Sequence, residues 1–164
     1  MTENQYAVPQ VRCVTPLFID YPMGLYMGKF LRELKENGRL VATTCKKCGR
    51  IMFPPQAVCA YCHAENLEDP EWVEIGPKGT LAGFMALKIP TINIWTLELE
   101  GPKYIVGIIV VDAPGGGACS LFHLVGETDE SKLKVGMRLE VVFKPKEERQ
   151  GRMEDILYWK PVQE

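Results

Sequence analysis

Four of the six cysteines fall within eighteen residues, "CKKCGRIMFPPQAVCAYC" at 45–62. They form two CxxC pairs, Cys45 with Cys48 and Cys59 with Cys62, separated by ten residues. The opening "MTENQYAVPQ" has neither a basic n-region nor an apolar h-region, so no secretory signal is read, and no apolar run reaches the length of a spanning helix. A reducing, cytoplasmic setting is therefore expected, where paired cysteines hold metal or do redox chemistry rather than form disulfides. A single CxxC would fit a thioredoxin-like pair. Two, joined by a short connector, predict tetrahedral Zn2+ on Cys45, Cys48, Cys59 and Cys62, with an iron centre as the alternative. Each pair makes a tight knuckle whose backbone N–H groups donate to the thiolates. Gly49 suits the positive φ that such a turn requires.

Four protein thiolates close the metal shell, so the expected role is structural. Zinc with four thiolates carries a net charge of −2. Lys46, Lys47 and Arg50 lie in or beside the first knuckle, and no acid occurs between Cys45 and Cys62. These three cations offset the centre, sit in solvent, or meet a phosphate-bearing ligand.

The rest of the chain divides around this device. Residues 1–22 contain Pro9, Pro16 and Pro22, which oppose a helix, yet Val8, Val11, Val14, Leu17, Phe18 and Ile19 make the segment too apolar for a solvated tail. An extended arm lying on some protein surface is expected. A helix region is placed at 23–40. Met23, Met27, Phe30 and Leu34 form an apolar stripe, widened by Tyr26 and Leu31, and Asn37-Gly38 supplies the stop. The zinc ribbon occupies 41–66. Residues 67–164 read as strands: "EWVEI" (71–75), "GTLAGFMALKI" (79–89), "KYIVGIIVVDA" (103–113), "ACSLFHLVGE" (118–127), "MRLEVVFKP" (137–145) and "DILYWKP" (155–161). Five or six strands without a convincing helix predict a mainly β chain ending in an OB-type barrel.

No self-sufficient active site is visible. Cys119 and His123 resemble a nucleophile and base, but on one strand four residues separate them by about 13 Å. A buried small side chain and a satisfied histidine explain them more simply. Cys13 lacks a histidine near it in sequence, and His63 is superfluous beside four thiolates. The run Gly115-Gly116-Gly117 could wrap a phosphate, but a hairpin loop accounts for it. P-loop, GxSxG and HExxH motifs are absent.

The succession "GKFLRELKENGRL", "CKKCGRIMFPPQAVCAYC", "WVEIGPKGTLAGF", "YIVGIIVVD" and "KVGMRLEVVF" resembles a family of zinc-ribbon/OB-fold proteins associated with acyl-CoA enzymes. The resemblance runs from about Met23 to Trp159. Its specificity lies in the combination of "MFPP" between the cysteine pairs, "GTL" opening the barrel and "VGM" before a late strand. It implies a rubredoxin-like ribbon and a non-catalytic subunit in a hetero-oligomer. The implied partner is a thiolase-superfamily catalytic subunit (an acyl-CoA C-acyltransferase, with benzoylsuccinyl-CoA among the substrates implied), or else a hydratase or aldolase. A CoA thioester would then lie at or near the interface, with Lys46, Lys47 and Arg50 as candidate contacts. The competing class is a single-stranded nucleic-acid module, since ribbons and OB barrels both serve that purpose. A net charge of −2, with 24% charged residues, argues against it.

Overall fold

The computed structural model describes residues 22–65, 69–87, 91–92, 99–100, 104–116 and 119–162. The arm expected at 1–22 thus lies outside the described residues except for Pro22, and Cys13 lies outside with it. Helix α1 spans Gly24–Asn37 and ends as expected, with Gly38 at φ 60° returning its N–H to the Leu34 carbonyl. Its buried face is narrower than the predicted stripe. Phe30 and Leu34 are fully buried and Met27 and Leu31 partly so, whereas Met23 is exposed. Position 23 immediately precedes the first helical residue and takes no part in the buried cluster of the described residues.

Three strands follow: β1 (Leu40–Thr44), β2 (Ile51–Met52) and β3 (Glu71–Ile75). They form an antiparallel sheet in the order β2-β1-β3, with Leu40 opposite Ile75 and Thr44 opposite Glu71. This corrects one expectation. "EWVEI" at 71–75 is expected among the barrel strands, but it completes the ribbon sheet. A five-residue strand with Trp72, Val73 and Ile75 beside two glutamates pairs equally well with either neighbour, and composition does not choose between them.

The barrel uses β4 (Lys78–Leu87), then, after a small hairpin of β5 (Thr91–Ile92) and β6 (Leu99–Glu100), β7 (Tyr104–Val111), β8 (Cys119–Val125), β9 (Arg138–Phe143) and β10 (Ile156–Pro161). Its closed order is β10-β8-β7-β4-β9. Counting barrel strands from β4, the ring runs first, second, third, fifth, fourth. Third and fifth pair in parallel through Val125 and Trp159, and every other pair is antiparallel. This is the five-stranded Greek-key topology of an OB-fold. Pro114–Gly116 lie in the β7–β8 connection, with Gly115 at φ 71°.

One core joins ribbon root, helix and barrel. Phe30, Leu34, Leu40, Val41, Ala42 and Ile75 belong to the same buried cluster as Leu81, Ile109, Leu139 and Trp159. Phe53 reaches back from the ribbon to meet the Phe30 ring edge-on at 5.6 Å. The β9–β10 connection clamps α1 from the barrel side. Arg149 packs its guanidinium against Gly38 while its Nε donates to the Lys144 carbonyl, and Gly151 approaches the Leu31 carbonyl. Among the described residues no helix is long and apolar enough to cross a membrane.

Candidate metal centre

The ribbon tip is built twice over from one local device. Gly49 N–H donates to the Cys45 carbonyl and Cys45 N–H to the Arg50 carbonyl, both at 2.8 Å. In the second knuckle His63 donates to Cys59 and Cys59 to Ala64, both at 2.9 Å. The residue after each second cysteine must take positive φ: Gly49 at 71° and His63 at 55°. Glycine does this without penalty, whereas histidine there is strained. His63 therefore serves as the turn residue of the second knuckle and stands outside the sulfur cluster.

The two turns bring all four sulfurs within 4.8 Å of one another. Cys45 Sγ lies 3.6 Å from Cys62 Sγ, and Cys48 Sγ 3.7 Å from Cys59 Sγ. A tetrahedron with Zn–S bonds of about 2.3 Å has edges of about 3.8 Å, so the observed spacing fits a zinc shell. Cys45 and Cys59 are buried and cluster with Met52, with Cys62 and Ala64 packed alongside.

Electrostatics favour a cation at the centre. N–H groups of Cys48 and Lys47 hold the Cys45 thiol down at about 6, and those of Cys62 and Tyr61 likewise lower Cys59. Cys48 moves the other way, to about 11: the Arg50 N–H lowers it, but burial and the three neighbouring thiols outweigh that pull. One thiolate forms readily and the last is opposed, which a divalent cation reverses. The four cysteines would hold structural Zn2+, which supplies a cross-link between the knuckles.

Lys46, Lys47 and Arg50 are all exposed on the first knuckle. Arg50 lies over the Tyr61 ring, 3.6 Å from its centroid, which ties the first knuckle to the second. Tyr61 had no place in the expected site. It occupies, within its CxxC, the position Lys47 holds in the other, and a knuckle that turns both sulfurs inward leaves this position outside. The adjoining hollow, about 180 Å³ and lined by Arg50, Met52, Phe53, Gln56 and Tyr61, is smaller than a usual small-molecule pocket. A larger cleft, about 490 Å³, lies at the ribbon root beside Arg39, which is already paired with Glu33 and Glu74.

Cys119 and His123 both lie on β8, four residues apart. Desolvation pushes the Cys119 thiol up and the His123 imidazole down, so both are neutral near pH 7. Cys119 is fully buried opposite Val111. The strand keeps the two apart, and no dyad forms.

Residues 32–68 match the family described as ChsH2, rubredoxin-like zinc ribbon domain. A DUF35 domain-containing scaffold protein of Methanocaldococcus jannaschii is 26% identical over 113 residues, covering 69% of this chain and 73% of the relative. A second such scaffold protein, from Methanothermobacter thermautotrophicus, is 23% identical over 114 residues, covering 69% and 77%. Among solved structures, the Ltp2-ChsH2(DUF35) aldolase superposes with TM-score 0.57 at 20% identity, over 86% of this chain and 98% of that one. A DUF35-family protein of unknown function from Sulfolobus solfataricus gives 0.56 at 18% identity, over 85% of each. Fold, sulfur geometry and comparison agree: residues 32–68 match the ChsH2 rubredoxin-like zinc ribbon, carried here on an OB barrel, and the chain is similar to DUF35 domain-containing scaffold proteins.

Proposed function

We propose that this chain is a non-catalytic scaffold subunit of an acyl-CoA-processing complex, with a thiolase-superfamily catalytic subunit as partner and a CoA thioester near the interface. The observation that carries the reading is the ribbon tip. Its four sulfurs fill a tetrahedral shell and leave no open metal position for chemistry, while three cations on the same tip are exposed. The scaffold relatives support the non-catalytic role. The acyl-CoA substrate and the thiolase partner rest on the motif succession quoted above. In this reading Lys46, Lys47 and Arg50 meet the phosphates of CoA, whose diphosphate and ribose phosphate call for Lys, Arg or backbone N–H donors.

The structural neighbour with an aldolase in its name favours a second reading, in which the partner is a CoA-thioester aldolase. The scaffold's own role is the same in both.

The test is steady-state kinetics of the reconstituted complex with all three cations replaced by Gln. Zinc content and assembly should be unchanged. KM for the CoA thioester should rise about ten- to a hundredfold, the worth of one charge-assisted contact of about 1.5–3 kcal/mol. The rate at saturation should hardly move, because a contact remote from the reacting carbonyl binds ground and transition states alike. An unchanged KM at low salt would confine the cluster to balancing the zinc–thiolate charge.

A further inference from the structure

We infer that the outer face of β4, β7 and β8 is the surface on which the catalytic partner docks. From Gly79 to Leu87, Tyr104 to Val111 and Cys119 to Val125 the three strands contain no Asp, Glu, Lys or Arg. Their inward positions fill the barrel: Leu81, Ile109, Leu121 and Val125 are buried. Away from the end marked by Thr80 and Ser120, their outward positions are also apolar, which a sheet with one face in water does not require. Met85, Ile108, Phe122 and Leu124 are 54, 47, 62 and 37% exposed. They are contiguous, because Ile108 pairs with Phe122, Val106 with Leu124 and Met85 with Val106.

Together these four residues expose roughly 400 Å², the size of the largest apolar patch on a typical monomer, which is often a functional one. A stable protein interface takes about 800 Å² from each partner, so this patch supplies half, as its centre. Its composition is that of an interface core: Met, Phe and aliphatics, with charge excluded. Charge lies on the flanking strands β9 and β10 and at one end of this face: Lys160 lies 3.4 Å from Glu140, and Arg138 reaches from β9 to Thr80 Oγ1 of β4 and to Asp112, just beyond β7.

The location also separates a protein from a nucleic acid. β7 and β8 are the second and third barrel strands, the face with which OB-folds bind oligonucleotides. A bound strand needs cations to follow its phosphates, and these strands have none. The occupant that fits is a folded protein surface that is likewise apolar and uncharged. The inference rests on the scaffold reading for the partner's identity, and takes from the structure the place where that partner sits.

The experiment measures binding of the full-length, zinc-loaded chain to the thiolase-family catalytic subunit by calorimetry and light scattering. Phe122→Glu and Ile108→Glu each place a carboxylate on the outer face without entering the core. Each should weaken binding at least thirtyfold while zinc content and melting temperature stay near the parent values. Lys160→Ala, on the flanking strand β10, should change binding less than threefold. If the parent chain binds and both Glu variants bind equally well, the docking face is wrong and the scaffold reading stands. If the parent chain does not bind, the thiolase-partner reading fails and the inference falls with it. A parent dimer that Phe122→Glu turns into monomer would give the face to a second copy. Binding of a fluorescent oligothymidylate that the same substitution abolishes would give it to nucleic acid. Deuterium protection of β7 and β8 in the isolated chain that disappears on deleting residues 1–21 would give it to the arm. Each of these three results overturns the inference.

Discussion

Asp155→Asn tests how the barrel grips the helix. Asp155 is 1% exposed, yet its carboxylate accepts from three successive N–H groups. Gly151 donates to Oδ2 at 2.6 Å, Arg152 to Oδ2 at 3.1 Å, and Gln150 to both oxygens at 3.0 and 3.1 Å. Burial alone would raise the acid's pKa, but these donors, with Lys144 near by, leave it below the ordinary value. The variant keeps one carbonyl for two of the donors, turns an NH2 toward the third and discards the charge. Hydrogen bonds to a charged acceptor contribute about 1.5–3 kcal/mol each, against about 1 for neutral ones. Because the three share one group and are not additive, a loss of about 2 kcal/mol is expected, a fall in melting temperature of roughly 4–8 °C. The pH dependence carries the sharper test. A carboxyl with a depressed folded pKa contributes its full stability above its unfolded value of about 3.9, and loses it as pH falls toward the folded value. Urea unfolding of both chains at pH 7 and at steps down to pH 3 should show the gap between them closing below about pH 4. Zinc release in acid affects both chains and drops out of the difference. A gap that stays constant down to pH 3, or is under 0.5 kcal/mol at pH 7, would refute the argument.

Cys59→Ala should purify without stoichiometric zinc by elemental analysis and lose amide protection over 45–65, while β1, β3 and the barrel keep theirs. His63→Gly should relax the second knuckle and leave the ribbon unchanged or up to about 1 kcal/mol more stable, read as zinc retention against a chelator. Gly107→Ala should cost about 1–3 kcal/mol in urea unfolding. A Cβ there would stand 2.7 Å from a Leu81 methyl and 2.9 Å from one of Val125, inside a filled barrel.

What could be read in advance tracks how local its cause is. The sulfur cluster was legible because two CxxC knuckles are fixed by turns of a few residues, and Gly49 announces the first of them. Helix α1 was legible to its last residue through Asn37-Gly38. Strand partnership was not. Nothing within "EWVEI" says that Trp72 faces Thr43 of β1 rather than a barrel strand, because pairing is decided by residues about thirty positions away. Tyr61 was missed because its role is relational: it matters as the ring beneath Arg50, and neither residue alone signals the other. The outer face was hidden for the same reason. Met85, Ile108 and Phe122 stand among apolar neighbours in the sequence, and only the strand register shows that they face outward.

The shared core at the ribbon root has an evolutionary consequence. Leu40, Val41, Ala42 and Ile75 are held by the same packing as the barrel, whereas Cys45, Met52 and Cys59 form a separate cluster secured by the metal. Apart from Ile51 and Phe53, which pack against the main core, substitutions between the cysteines therefore leave the folding of the rest nearly untouched. Selection is free to vary the exposed residues of the tip, such as Lys46, Lys47 and Tyr61, toward new ligands. The barrel needs no compensating change as they vary.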